Sequence, residues 1–146
     1  MKFPLLAIEP KGFTSLFPTE SDARRMPIGF IKIYRKRQAA LEFFDSDGGV
    51  WALEAITPIK AIPFWLRFLP TFREIEVEMR FRPLGAATPE RMKQLLRSAV
   101  EADDDILTQH QEESDILAKL EKTKSVGEVF RLYRWMTKDF RKGPPK

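Results

Sequence analysis

Hydrophobic and charged residues alternate most clearly between residues 72 and 81. The apolar positions are Ile75, Val77, Met79 and Phe81, and the polar ones are Glu74, Glu76, Glu78 and Arg80. Because successive side chains of a strand point to opposite faces, this period of two predicts a β-strand. We therefore expect an antiparallel sheet with one face in water.

Other segments of the N-terminal half are rich in β-branched and aromatic residues, at residues 28–34, 40–44 and 50–56. This composition predicts a strand for each segment. Residues 45–49, Asp-Ser-Asp-Gly-Gly, supply the positive φ angles of a tight turn and predict a hairpin between the last two strands. Residues 5–8 are expected to add an edge strand.

Prolines interrupt the chain at Pro58, Pro63 and Pro70. This punctuation argues against a central strand and predicts a loop with one helical turn. We expect the loop to pack on the sheet through its rings. The aromatic residues assigned to the core on this basis are Trp51, Phe64, Trp65 and Phe68.

The C-terminal half follows helical spacing. Thr88 and Pro89 form a helix start signal, and Ser125 and Glu128 form a capping box. Residues 112–122 carry apolar side chains at helical spacing between these two helices. Strands followed by helices predict an α+β fold, with an antiparallel sheet of about four strands in the N-terminal half packed against about three C-terminal helices.

The composition is that of a folded protein, because a disordered chain could not bury 12 Phe, 3 Trp and 2 Tyr residues. The length of 146 residues fits a single α+β domain over residues 1–140, followed by a flexible basic tail at residues 141–146. We expect no export signal and no membrane span, since no apolar run approaches the roughly 20 residues that a helix needs. The expected location is cytoplasmic.

Few residues offer catalytic chemistry. The sequence has no Cys, which excludes disulfides and thiolate sites, and His110 is its single imidazole. Adjacent residues Asp103, Asp104 and Asp105 splay around a helix or loop and cannot all face one Mg²⁺ ion. No glycine-rich phosphate-binding pattern is present. We predict neither enzymatic activity nor a metal or cofactor site.

Charge is distributed unevenly along the chain. The net charge is +4, yet residues 101–128 hold 9 acidic and 3 basic residues. Carboxylates repel a phosphate backbone, so this segment is expected to contact a protein and not a nucleic acid. The predicted contact residues are Glu101, Asp103, Asp104, Asp105, His110, Gln111, Glu112, Glu113 and Asp115.

The last helix leaves a second interpretation open. Its basic residues Arg131, Arg134, Lys138, Arg141 and Lys142 lie near Trp135 and Phe140. Rings that stack on bases beside cations that meet phosphates are typical of a nucleic-acid-binding module. Cations also favour a helix C-terminus, however, and the rings would complete an amphipathic core stripe.

A resemblance to a known family rests on three segments: ADDDILTQ at residues 102–109, ILAKL at 116–120 and KTKSVGEV at 122–129. Together they resemble the small bacterial immunity proteins that accompany polymorphic toxins, including contact-dependent growth inhibition systems. The resemblance implies a cytoplasmic protein that binds a cognate toxin domain and blocks its active site or substrate access. The sequence pI of 9.4 departs from the acidic character of many nuclease inhibitors, which leaves the nature of the toxin open.

Overall fold

The computed structural model describes residues 1–67, 73–102 and 107–137 of the chain. The strands are β1 (Leu5–Ile8), β2 (Thr14–Phe17), β3 (Arg25–Pro27), β4 (Glu42–Asp45), β5 (Gly49–Pro58) and β6 (Glu74–Ala86). The helices are α1 (Glu20–Ala23), α2 (Ile28–Arg37), α3 (Pro89–Glu101), α4 (Glu113–Lys122) and α5 (Val126–Met136), with a 3₁₀ turn at Phe64–Arg67. The α+β class predicted from the sequence is confirmed.

The six strands form one antiparallel sheet in the order β2-β1-β4-β5-β6-β3. The longest ladder joins β5 to β6, and it contains two register shifts, between Val50 and Trp51 and between Leu53 and Ala55. Irregularities of this kind increase the local twist of a sheet. At the far side, β3 pairs with only the first three residues of β6.

Helices cover both faces of the sheet. One face packs against α3, α4 and α5, and the buried residues of this first core include Leu6, Ile8, Phe44, Met92, Leu96, Ile116, Leu120, Val129 and Met136. The other face packs against α2, and this second core includes Leu5, Ala7, Phe17, Ile31, Tyr34, Phe43, Leu53, Ile56 and Val77. Because side chains alternate between the faces of a strand, β1 and β4 contribute to both cores.

The predicted N-caps of α3 and α5 are present, but the capping box expected at Ser125 and Glu128 is only half formed. The Thr88 hydroxyl accepts a hydrogen bond from Arg91 N at 3.2 Å, and the Ser125 hydroxyl accepts one from Glu128 N at 3.3 Å. The Glu128 carboxylate accepts from Lys124 N, one residue before the cap, at 2.6 Å. Both helices therefore begin where the side-chain oxygens satisfy amides that lack a partner within the helix.

Residues 28–34 form most of α2, so the strand predicted there is wrong. Ile28, Ile31 and Tyr34 are buried at a spacing of three, while Phe30 and Ile33 remain exposed. The residues are β-branched and aromatic, which favours a strand by composition. Their burial against the second face of the sheet outweighs that modest preference, because helical propensities differ by less than about 1 kcal/mol per residue.

The predicted numbers of about four strands and about three helices are also too low, since the described residues contain six strands and five helices. Two of the helices, α1 and α2, lie in the N-terminal half. The strand at Leu5–Ile8 is present but is not an edge strand, since it pairs with β2 on one side and β4 on the other. The short strands β2 and β3 have no strong periodicity of their own and form by pairing with β1 and β6.

The loop after β5 contains the predicted helical turn, but two of the rings that we expected in the core are largely exposed. Phe64 and Trp65 are 71% and 59% exposed, and Trp51 is half-buried. Phe68 lies outside the described residues, as does the predicted tail at residues 141–146. Among the helices of the described ranges, none has the length and hydrophobicity of a membrane span.

The turn between β4 and β5 is organised by the carboxylate of Asp45. One oxygen, Oδ1, accepts hydrogen bonds from Asp47 N at 3.0 Å and Gly49 N at 2.7 Å. The other, Oδ2, accepts from Trp51 Nε1 at 2.9 Å and Lys2 N at 3.4 Å. A Cβ atom at Gly49 would lie 2.7 Å from Oδ2, which explains why glycine occupies this position.

The protonation of Asp45 is coupled to this geometry. Burial alone would raise the pKa of Asp45, but the hydrogen bonds from Gly49, Trp51, Lys2 and Asp47 hold it below the ordinary value of 3.8. A lowered pKa in the folded state means that the ionised carboxylate stabilises the fold. This stabilisation is fully present above the pKa of the unfolded chain and is lost as the pH falls through the lower pKa of the folded protein.

We predict that Asp45→Asn lowers the free energy of unfolding at pH 7 by about 2–3 kcal/mol. The amide carbonyl can replace Oδ1, but the NH₂ group would then face the donors Trp51 Nε1 and Lys2 N. Urea denaturation at several pH values measures the effect. The difference in the free energy of unfolding between the original chain and the variant should narrow as the pH falls below about 3.

Asp47→Asn is the matched control, because it removes the same charge from the same turn. The Asp47 carboxylate forms an exposed ion pair with Lys2 Nζ at 2.8 Å. Exposed pairs contribute little, so the stability of this variant should stay close to that of the original chain. An Asp45→Asn deficit that stayed constant from about pH 7 to about pH 2 would contradict the assignment.

Candidate functional site

The predicted acidic segment begins and ends in the helical hairpin of α3 and α4. Lys93 Nζ donates hydrogen bonds to Glu121 O at 2.9 Å and Thr123 O at 3.0 Å, and Arg97 forms an ion pair with Glu121. The end of α4 thus packs beside the middle of α3. The predicted acidic segment comprises the last residue of α3, the connection between the helices and the beginning of α4.

Four of the predicted contact residues flank the connection between α3 and α4, and we call them the acidic end: Glu101, Glu112, Glu113 and Asp115. All four are exposed. Within the described residues, none of them forms an ion pair. These negative charges are therefore not neutralised by ion pairs within the described part of the chain.

The helix dipole explains only some of these carboxylates. Glu113 and Asp115 lie in the first turn of α4, where the partial positive charge of the helix end favours anions. Glu101 is the last residue of α3, and the last turn of that helix holds no basic residue. A negative charge is unfavourable at a helix C-terminus. The position of Glu101 is thus not accounted for by the stability of its own helix.

The remaining predicted contact residues do not all join the acidic end. His110 and Gln111 are only half-exposed, so their side chains are partly committed to the protein itself. Leu107 is buried in the first core and anchors this part of the connection between the helices. Asp103, Asp104 and Asp105 lie outside the described residues.

The turn between β1 and β2 supports the end of α3. Gly12 has a φ of 96°, and a Cβ atom there would lie 3.2 Å from Ala102 O. Gly12 N donates to Glu9 O at 3.2 Å, and the buried Glu9 carboxylate forms an ion pair with Arg37, whose guanidinium lies 5.3 Å from the Phe13 ring centroid. These contacts link the C-terminus of α3 to the second core through α2.

The sequence interpretation missed this support. Gly12 and Glu9 contact partners that are distant along the chain, Ala102 and Arg37, so no local pattern reveals the contacts. The positive φ of Gly12 is the single feature with a sequence signal, because glycine is favoured wherever the backbone becomes left-handed.

The aromatic rings beside the basic residues of α5 are poorly placed for stacking on nucleic acid bases. Phe130 and Tyr133 are buried in the first core, and Lys119 Nζ lies 4.9 Å from the centroid of the Trp135 ring. Arg131 and Arg134 are exposed, and Arg131 is 3.9 Å from Glu128. The other residues of this predicted patch, Lys138, Phe140, Arg141 and Lys142, lie outside the described residues.

Within residues 1–67, 73–102 and 107–137, no group of three or more His, Asp or Glu side chains is placed to hold a metal ion. The acidic end thus consists of separate carboxylates on a helix-end surface. Comparison of the chain with protein-family models, curated proteins and solved structures finds no match in any of the three. Functional inference therefore depends on the geometry itself.

We predict that Gly12→Ala lowers the free energy of unfolding by about 1–3 kcal/mol, because a non-glycine residue is strained at this φ. The methyl group would also press on the carbonyl of Ala102 at the end of α3. Thermal and urea denaturation measure the loss.

Gly127→Ala provides a matched control with the same added methyl group. Gly127 lies in the first turn of α5, and a Cβ atom there would meet nothing within 4 Å. Alanine is the better helix former, so this variant should be up to about 1 kcal/mol more stable. Equal changes in the free energy of unfolding for Gly12→Ala and Gly127→Ala would exclude a special role for the β1–β2 turn.

Proposed function

We propose that the chain is an immunity-type inhibitor whose acidic end binds a basic surface of a cognate toxin domain. The observation that carries this proposal is the exposure of Glu101, Glu112, Glu113 and Asp115 at the end of α3 and the beginning of α4, without an ion-pair partner in the described chain. The family resemblance of residues 102–129 points to the same class of function. The location that this function requires is the cytoplasm, where the toxin would act.

Inhibition would follow from occupation of the toxin surface that receives its substrate. A basic substrate-binding surface attracts an acidic patch from a distance, which increases the rate of encounter. Once docked, the α3–α4 hairpin excludes the substrate sterically, so the inhibitor needs no catalytic group of its own. The placement of Glu101 against its helix dipole supports such a role, since complementarity to a partner compensates for the local cost.

Nucleic-acid binding through α5 receives less support. The faces of its rings are used inside the protein, by the first core and by Lys119. Single-strand binding needs exposed rings on which bases can stack. We therefore retain the protein-partner function alone.

We predict that the double variant Glu101→Lys/Glu112→Lys slows association with the cognate toxin domain by at least about tenfold. The rate of dissociation should change less, because the substitutions act chiefly on long-range attraction. Surface plasmon resonance at two salt concentrations measures both rates, and the difference between the proteins should shrink at high salt. Growth of cells that express the toxin domain should recover with the original chain and less with the variant.

Glu74→Lys/Glu90→Lys is the matched control. It changes the net charge equally, its residues are exposed, and Glu90 lies in the first turn of α3, at the opposite end from Glu101. This control should associate at nearly the original rate. Failure of the original chain to bind or protect, or equal losses in both double variants, would contradict the proposal.

A further inference from the structure

The strand β6 is much longer than the outer strand that pairs with it. β3 covers only the first three residues of β6, in the pairs Arg25 with Glu76, Met26 with Ile75 and Pro27 with Glu74. The ladder on this side ends with a hydrogen bond from Val77 N to Arg24 O at 2.8 Å. Beyond Val77, the described residues provide no further strand on this side of β6. The rest of β6 is therefore an open sheet edge.

The hydrogen bonds around Val77 show which backbone groups lie at the open edge. Ile59 N donates to Glu76 O at 3.0 Å, so the backbone of Glu76 faces β5, whereas Val77 N faces Arg24 on the other side. Successive residues of a strand direct their backbone groups to opposite sides. Met79 and Phe81 therefore present their N–H and C=O groups to the open edge, and Glu78 and Arg80 present theirs to β5.

A groove of about 770 Å³ runs beside this edge. We call it the edge groove and define it by Val77, Met79 and Phe81 on the strand and by Phe3 and Ala23 across from it. These side chains belong to the second core or pack against it. The edge groove thus combines unpaired strand backbone with an apolar surface.

The charges around the edge groove limit what can occupy it. Lys2 is paired with Asp47 at 2.8 Å, and Arg24 is paired with Glu20. Glu78 and Arg80 are exposed on the other face of β6, and neither forms an ion pair within the described residues. The edge therefore offers an apolar inner face and one charge of each sign on its outer face.

We propose that the edge groove binds an extended segment of another protein, which adds to β6 as a further strand. The segment would present apolar residues at alternate positions to Val77, Met79 and Phe81. On its other face, a basic residue would lie opposite Glu78 and an acidic residue opposite Arg80, because opposite charges stabilise cross-strand pairs. Strand addition of this kind takes its affinity from the backbone and its specificity from alternate side chains. The proposal is independent of the acidic end.

A second copy of the chain fits the edge less well than a separate segment does. Antiparallel pairing of two β6 strands about Arg80 would set the two Arg80 side chains opposite each other, and like charges there are destabilising. Pairing about Met79 would set Glu78 opposite Arg80 of the other copy, but Arg82 would then fall opposite the other copy's Glu76, whose edge is already paired with Arg25. Pro83 also falls at an edge-facing position and has no N–H to donate. The stretch that can pair is therefore short, and it suits a peptide segment better than a symmetric dimer.

Selection of a displayed library of random twelve-residue peptides against the full chain tests the proposal. Selected peptides should alternate apolar residues, with a basic and an acidic residue two positions apart on the other face. Hydrogen exchange of the full chain with a selected peptide should slow at the amides of Met79 and Phe81. The amides of Glu78 and Arg80, which face β5, should change little. N-methylation of the peptide at the alternate residues whose N–H groups face β6 should abolish binding.

Met79→Glu should weaken binding of the selected peptide by at least about tenfold, because it places a charge in the edge groove. Ile75→Glu is the matched control, since Ile75 is half-buried on the same face of β6 but lies where β3 covers the edge. It should change binding by less than about threefold. The exchange measurement uses the unsubstituted chain and so decides the question even if a variant unfolds.

Three outcomes would overturn the proposal. The first is a library that yields no saturable binder, and the second is protection confined to amides away from β6. The third is self-association of the chain that protects Met79 and Phe81 without any peptide, which would assign the edge to a second copy.

Discussion

The central strands of this protein carry hydrophobic side chains on both faces, and the rest of the architecture depends on that constraint. All four residues of β1 are buried, with Leu5 and Ala7 in one core and Leu6 and Ile8 in the other. A sheet of this kind must be covered twice, since each uncovered face would leave apolar area in water at a cost of about 25 cal/mol per Å². The helices α3, α4 and α5 cover one face and α2 covers the other.

The same constraint explains which elements could be predicted from the sequence. The strand β6, the turn at Asp45 and the caps at Thr88 and Ser125 depend on local patterns, and all were predicted. The helix α2 could not be recognised from composition, because its β-branched residues favour a strand locally. It is a helix because the second face of the sheet needs a cover, which is a property of the assembled fold and not of residues 28–34.

The candidate site could be predicted in part for a similar reason. A local excess of carboxylates identified Glu101, Glu112, Glu113 and Asp115, and these residues are exposed at the end of α3 and the beginning of α4. Sequence could not show that His110 and Gln111 are half-buried, because their exposure depends on how Leu107 enters the core. The open edge of β6 was not predicted either, since it results from the difference in length between β6 and β3.

The acidic end and the edge groove would act on a partner through different physics. Attraction between exposed charges extends over about a Debye length, near 8 Å at physiological ionic strength, and so governs encounter. Backbone hydrogen bonds act only at about 2.9 Å and so govern how long a docked segment stays. The two surfaces share no residue, since the acidic end lies on α3 and α4 and the edge groove is lined by side chains of the second core or packed against it. A charge substitution at the acidic end should therefore alter the rate of association, and a substitution in the edge groove should alter the rate at which a docked segment dissociates.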